Sequence, residues 1–344
     1  MDKRIVLSIV VILIIIAASG LFYYYSNQQN KTPTPQVSYY PVSVKDASGQ
    51  NVTFYSQPTR IVSLAPSDTQ FLISLGLSRY IVGVDYYSYL LLEMLNITNV
   101  LPSNVTVFSA SLAPNITGII SLRPDVVIDE IGLIGSYAKE LSDAGIKTFY
   151  TNADFASNYT EIEHWIILLG KVFNRNDQAQ KLINWMEAKI KSFEITGNTT
   201  VGYLLWINPD YTFYTAGSGT FINAIISLAG GVNVFQNNKG YPVLSPSSLL
   251  IANPQVIIAQ ELTNITYTYY MIRTMPGISN ISAYQYNRIY VLSQNLPTFL
   301  FNEPGPLSVY SIAMIKLIIL NQAPSYISTA WVKNTLNVTL PIFE

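Results

Sequence analysis

RIVSLAPSDTQFLISLGLSRYIVGVDYYSYL, residues Arg60 to Leu90, is the stretch on which the fold turns. Ile61, Val62 and Leu64 form an apolar run of strand length. Pro66 makes a sharp turn after it, and Ser67 with Gln70 three residues on is a capping-box signature opening the apolar helix of Phe71, Leu72 and Leu75. A second buried strand, Tyr80–Val84, runs into the aromatics Tyr86, Tyr87 and Tyr89. Helix N-terminal amides and tyrosines thus fall at the carboxyl ends of strands, where open α/β sheets bind ligands.

The same alternation continues outward. Strands are expected at Arg60–Leu64, Tyr80–Val84, Val126–Asp129 and Lys147–Tyr150, with helices at Ser67–Leu75, Asn115–Ser121 and Ser136–Ala144. A second half repeats the pattern, with strands Val201–Trp206, Val256–Ala259 and Arg288–Leu292 and helices Thr220–Ala229, Ser247–Ile251, Tyr269–Met275 and Pro306–Leu320. The expected fold class is α/β: two similar lobes with central parallel sheets, preceded by an N-terminal transmembrane helix. Between the lobes Asp177 is placed as the N-cap of a long spine helix buried along Ala179, Leu182, Ile183, Met186 and Ile190. One long helix between lobes resists wide hinge bending. Leu122-Arg123-Pro124-Asp125 and Ile251-Ala252-Asn253-Pro254 each end a short helix ahead of a strand, because the residue before proline is driven out of the α region.

The domain expectation is an anchor or signal segment at 1–25, a polar proline-containing linker at 26–41, an N-terminal lobe at 42–175, a spine at 176–195 and a C-terminal lobe at 196–344. Ile5 to Tyr25 carries no charge and is long enough to span a bilayer as a helix. Lys3 and Arg4 on its short side direct the globular part outward, making a single-pass, extracytoplasmic protein of the cell membrane. The small residues Ala17 to Gly20 offer the competing reading, a cleaved signal peptide. The chain has no cysteine, which excludes disulfides, a lipidated-cysteine anchor and cysteine-based metal centres. A net charge of −1 with 11% charged residues argues against nucleic acid as a partner. Glycosylation sequons occur at Asn30, Asn51, Asn96, Asn104, Asn115, Asn158, Asn198, Asn264, Asn280 and Asn337, whereas the residue frequencies alone give roughly four to five.

Trp206, Tyr211, Tyr214 and Tyr241 in the second half, with Tyr86 and Tyr87 and the turn at Pro66 in the first, fall at strand ends or loops and are candidate ligand contacts. His164 is the only histidine, so a multi-histidine metal site is closed, and no cofactor is called for. No G-x-S-x-G elbow follows a strand, so a nucleophilic hydrolase finds no support. Asp85 with Glu130, and Glu261 with Glu303, are carboxylate pairs whose separation sequence cannot supply, and an enzyme is not expected.

At these residues the chain resembles the cobalamin and ferric-siderophore substrate-binding proteins of ABC importers. The resemblance rests on the opening stretch, GIISLRPDVVI (Gly118–Ile128), ELSDAGIKTFY (Glu140–Tyr150), TAGSGTFINAIISLAGGVNVF (Thr215–Phe235), SLLIANPQVII (Ser248–Ile258) and NRIYVLSQNLPTFLFNEPGPLSV (Asn287–Val309). It implies a metal-chelate ligand, a ferric siderophore or cobalamin, held between the lobes and delivered to a permease and its ATPase. It implies that Tyr87 is a ligand contact, that Phe299, Phe301 and Asn302 sit in a late contact loop, and that Tyr241 stands where the family often has a tryptophan. The family's docking glutamates align here with Thr117 and Ser247, so permease contacts are missing or moved to Asp129, Glu130 or Glu261. Lys239, Arg273 and Arg288 are the few basic residues near the expected cleft loops, a scarcity that favours a neutral, aromatic-contacted ligand. The alternative is a membrane-anchored surface sensor or glycan-binding module without transport.

Overall fold

The computed structural model describes residues 21, 39–109, 115–132 and 137–344. The chain from Tyr40 to Glu344 forms one compact unit, and the account below concerns that unit. The expected spanning segment lies, apart from Leu21, outside the described residues, among which no helix is long and apolar enough to cross a membrane.

An antiparallel hairpin of β1 (Val42–Lys45) and β2 (Asn51–Phe54) opens the unit. The first sheet then contains β3 (Ile61–Ser63), β4 (Ile81–Asp85), β5 (Thr106–Phe108), β6 (Val126–Glu130) and β7 (Thr148–Thr151). Its order is β5-β4-β3-β6-β7, with every pair parallel. Strands β3 and β6 are buried at every position, as a sheet covered on both faces requires. The covering helices are α1 (Pro66–Ser74), α2 (Tyr86–Leu95), α3 (Ile116–Ser121) and α4 (Tyr137–Asp143).

Helix α1 is buried at all nine residues, and the capping box expected for it does not form. Pro66 occupies the first helical position, so Ala65 becomes the N-cap and Ser67 falls two residues too late to cap. Ser67 and Gln70 are thereby free for other partners. Gln70 Oε1 accepts from Leu307 N at 3.0 Å, tying the first lobe to the second. Gly305 makes room for it, since a Cβ there would meet Gln70 Oε1 at 2.8 Å.

Two helices follow, α5 (Tyr159–Val172), capped by the Asn158 side chain, and α6 (Asn176–Phe193). Helix α6 is the expected spine, with Ala179, Leu182, Ile183 and Met186 buried. It begins two residues earlier than expected, with Arg175 at the N-cap and Asp177 in the first turn, where a carboxylate still complements the helix dipole.

The second sheet contains β8 (Thr199–Leu204), β11 (Gly231–Asn233), β13 (Val256–Gln260), β14 (Ile289–Leu292) and β15 (Tyr326–Ile327), all parallel, in the order β11-β8-β13-β14-β15. The lobes therefore share a layer class but differ in connection. The first sheet places two strands on one side of its founding strand, and the second sheet places one. A small antiparallel sheet not anticipated from sequence, β12-β10-β9, is built from β9 (Trp206–Ile207), β10 (Phe213–Tyr214) and β12 (Val243–Leu244). Helices α7 (Phe221–Leu228), α8 (Pro246–Ala252), α9 (Ile265–Thr274), α10 (Ser282–Gln285), α11 (Leu296–Asn302), α12 (Val309–Ile319) and α13 (Thr329–Leu336) complete the lobe.

One apolar cluster runs through both lobes: Ile61, Phe71 and Phe149 of the first join Tyr203, Phe221 and Tyr310 of the second by way of α5 and α6. Tyr159 meets Phe221 edge to face at 5.1 Å, and Trp185 of the spine packs on Tyr310 of α12 at 6.3 Å. Replacing Gln70 by Leu would leave the buried Leu307 amide without a partner, a loss of about 1–3 kcal/mol. Chemical denaturation should show that loss, and unchanged stability would remove Gln70 as the tie between the lobes.

Candidate functional site

Four neighbouring strands of the first sheet each release a carboxyl side chain at or just beyond the carboxyl end. Strand β3 runs into α1 and Asp68, β4 ends at Asp85, β6 ends at Asp129 and Glu130, and β7 is followed by Asp154. The gap between β3 and β6 is the topological switch point of this sheet, where open α/β folds bind ligands. Glu303, following α11, approaches from the second lobe and interacts electrostatically with Asp154, Asp85 and Glu130.

Hydroxyl groups organise these carboxyls. Thr151 Oγ1 lies 2.8 Å from Asp68 Oδ1 and 2.7 Å from Glu130 Oε1. A hydroxyl has one hydrogen, so one of these contacts requires a proton on the carboxyl itself. Glu130 Oε1 also accepts from Ala153 N at 2.9 Å, and Ser67 Oγ donates to Asp154 Oδ1 at 2.8 Å. Asp129 accepts from the Tyr137 hydroxyl and from Glu130 N. Asp85 caps α2 by accepting from Ser88 N at 3.0 Å, and a buried hydroxyl chain, Ser63–Thr69–Ser88, ends on its other oxygen.

No cation answers this cluster. The only ion pair between described residues is Lys139–Asp143 on the surface. Basic side chains bond backbone carbonyls instead: Arg60 to Leu122, Arg288 to Ile319, Lys333 to Met94. Removal from water accordingly pushes the carboxyls up, Glu130 to about 8, Asp129 to about 7 and Asp154 to about 6. Asp68, Asp85 and Glu303 rise for the same first reason, Asp68 and Glu303 with added repulsion from neighbouring carboxylates.

The aromatic candidates divide. Tyr86 and Tyr87 occupy the first turn of α2 rather than a strand end, half-exposed because Asp85 caps the helix immediately before them. Tyr87 faces Phe299 of α11 across the lobes at 6.3 Å, so two residues from distant parts of the sequence meet. Trp206, Tyr214 and Val243 are paired across β9, β10 and β12 and form an exposed row, while their neighbours Ile207 and Phe213 are buried. Tyr241 is near enough to Asp154 that the carboxylate raises its hydroxyl pKa, after burial.

Phe301 does not line the cleft. The expected late contact loop is helix α11, on which positions two apart point to different faces, so Phe299 faces Tyr87 while Phe301 is fully buried, stacked on Tyr203 at 5.8 Å. Asn302 Oδ1 accepts from the Tyr203 hydroxyl at 3.2 Å, which makes it a support for that stack. Tyr211 sits in a turn at φ 67°, and its hydroxyl donates to Thr274 on the outer helix α9. Pro66 is buried at the start of α1. Asp129 and Glu130 are also buried, which removes them as surface docking groups, whereas Thr117 and Ser247 are exposed in the first turns of α3 and α8. Asp68, Asp154 and Glu303 were not singled out as contacts; the legible signal, Asp and Glu closing the apolar runs IVGVD and VVIDE, marks only Asp85, Asp129 and Glu130.

Two parallel-sheet lobes on a helical spine, with side chains converging at the strand ends between them, define a two-lobed ligand-binding protein. The chain belongs to the periplasmic binding protein family, whose description matches residues 61–296. It is 26% identical to an uncharacterised ABC transporter substrate-binding lipoprotein of Bacillus subtilis, over 79% of this chain and 84% of that one. It is 25% identical to a cobalamin-binding protein of Halobacterium salinarum, over 80% of this chain and 73% of that one. The crystal structure of a possible iron-binding, periplasmic solute-binding protein from Staphylococcus epidermidis superposes with a TM-score of 0.65 at 24% identity, covering 77% of this chain and 99% of that chain.

Carboxyls whose pKa is higher in the folded chain than in the unfolded one hold extra protons when folded, so stability falls as pH rises from about 4 through about 8. Each proton given up costs on the order of 1 kcal/mol per pH unit, or about 2–4 °C in Tm. Scanning calorimetry from pH 5 to pH 8 should show Tm declining, and a Tm that climbs over this range would contradict the buried acid cluster.

Proposed function

We propose that this protein is the extracytoplasmic substrate-binding component of an ABC importer and captures a metal chelate, a corrinoid or ferric siderophore, between its lobes. The observation that carries this reading is the meeting of Tyr87 with Phe299 across the mouth of a cleft whose walls are the strand ends of both lobes. Aromatic faces on opposed lobes suit a bulky, partly apolar chelate, each offering about 150–250 Å² of contact. Tyr86, Trp206, Tyr214 and Tyr241 extend the aromatic lining. The Halobacterium relative, named for cobalamin, and the staphylococcal structure, titled as possibly iron-binding, support the same ligand class.

In this reading the uncharged segment Ile5–Tyr25 anchors the chain in the membrane and the linker at 26–41 holds the lobes outside. The asparagine of every sequon within residues 40–344 is exposed, nine in all, which supports a glycan-coated, extracytoplasmic surface. Docking on the permease proceeds through the exposed helix starts at Thr117 and Ser247 with few ion pairs. Importer ATPase stimulation should therefore change little between about 0.1 and 1 M salt, and a steep loss would place charged contacts at the interface.

Titration of the protein with cobalamin, haem and ferric siderophores, followed by tryptophan fluorescence and calorimetry, tests the ligand. Tyr87→Ala or Phe299→Ala should weaken the chelate that binds by about tenfold or more, with folding intact. Phe301→Ala should instead cost about 3–5 kcal/mol of stability. Saturable binding of an oligosaccharide, with none of the chelates bound, would overturn the proposal in favour of a glycan-binding module.

A further inference from the structure

The ligand's charge can be read from what the cleft lacks. Six carboxyl groups converge where the lobes face one another, and no lysine, arginine or histidine of the described residues pairs with any of them. The remaining first-lobe stretches, 110–114 and 133–136, contain no charged residue in sequence, so they cannot supply a missing cation. Lys239, on the segment that carries Tyr241, is exposed and makes no ion pair with a described carboxylate.

Beneath the cleft the polar accounting is incomplete. Asp68 Oδ2 and Glu130 Oε2 are buried and have no hydrogen-bond partner, although their companion oxygens share Thr151. Burying an ionised carboxylate without a partner is strongly unfavourable, so these carboxyls hold protons unless a positive charge is supplied to them. In front lie two partly buried groups, Asp154 of the first lobe and Glu303 of the second, and the Asp154 carboxylate adds to the burial that pushes Glu303 up. No group of three or more of these side chains among the described residues converges closely enough to hold a bare metal ion. A larger organic cation, whose charge is spread over a donor-bearing group, remains as the occupant of matching charge.

We propose that the cleft selects a cationic chelate, seating the positively charged group of its ligand between Asp154 and Glu303 with Asp85, Asp68 and Glu130 behind. This inference rests on the chelate reading above and narrows it: ligands presenting carboxylates or catecholates are repelled. It also replaces the neutral ligand suggested by the scarcity of arginine, because the decisive charges are acidic. Binding drives protons off the cluster. The groups facing it are Asp129 with its donor Tyr137, Tyr241 from the second lobe, and the hydroxyls of Ser67, Thr151 and Ser88.

The test uses the full chain and pairs of ligands that share a framework and differ in charge. One pair is a ferric trishydroxamate with a free ammonium group and its N-acetylated form; another is aquocobalamin, a cation, and neutral cyanocobalamin. A ferric tris-catecholate is the anionic control. The cationic member of the bound pair should bind at least tenfold tighter than the neutral one, and the catecholate should bind weakest. Asp154→Asn with Glu303→Gln should bring that ratio close to one. Calorimetry of the unmodified protein at pH 7 in buffers of different ionisation heat should show protons released by the cationic ligand only, a readout independent of whether the variants fold. Equal affinity within a pair, with no proton release, overturns the charge preference and leaves chelate binding standing. Failure of every chelate and corrinoid to bind overturns the underlying reading as well.

Discussion

A single apolar core passes through both lobes, and the remaining geometry depends on it. Because Phe71 and Phe149 share one cluster with Tyr203, Phe221 and Tyr310, the lobes are joined by packing as well as by chain. Helices α5 and α6 lie in the middle of that cluster, and separating the lobes widely would expose their apolar faces. The Gln70–Leu307 and Lys333–Met94 hydrogen bonds add polar ties along the seam. A cleft formed between lobes held this way is largely pre-shaped, and affinity need not be spent on assembling it.

On that frame the two walls do different work. Lobe one presents helix starts and strand ends, which place amides, hydroxyls and carboxyls in a narrow zone. Lobe two presents aromatic surface on its small antiparallel sheet and on α11. Although the strand orders differ, each sheet changes direction beside its founding strand. The first opens its gap between β3 and β6, below Asp68 and Glu130; the second opens between β8 and β13, where Tyr203 and Gln260 are hydrogen-bonded.

Much of this was legible in the residues. The Pro-containing turn after Ile61–Leu64, the paired Pro124 and Pro254 turns and the spine periodicity all correspond to observed elements, within a residue or two at their ends. Tyr87 was legible as an aromatic just past a buried strand, and it is exposed and faces Phe299. Phe301 was not, because two aromatics in TFLF read alike until the helix assigns them opposite faces. Ser67 looked like a cap, and only the proline before it shifts the helix start and frees the hydroxyl for Asp154. The acid cluster was the largest omission. Its members lie up to 235 positions apart, and single carboxylates at strand ends gain meaning when the parallel sheet sets them side by side.

Three of the exposed sequon asparagines cap helices. Asn115, Asn158 and Asn264 are the N-caps of α3, α5 and α9, each with its side-chain oxygen accepting from a backbone amide three residues on. The amide group is thus divided: its oxygen belongs to the helix and its nitrogen faces outward, although in Asn158 that nitrogen also donates to Ser157. An Asn→Gln exchange made to abolish a sugar would therefore strip a helix of its cap, at about 1 kcal/mol each, and confuse folding with glycosylation. Changing Thr117, Thr160 or Thr266 instead erases the enzymatic recognition signal and leaves the cap in place.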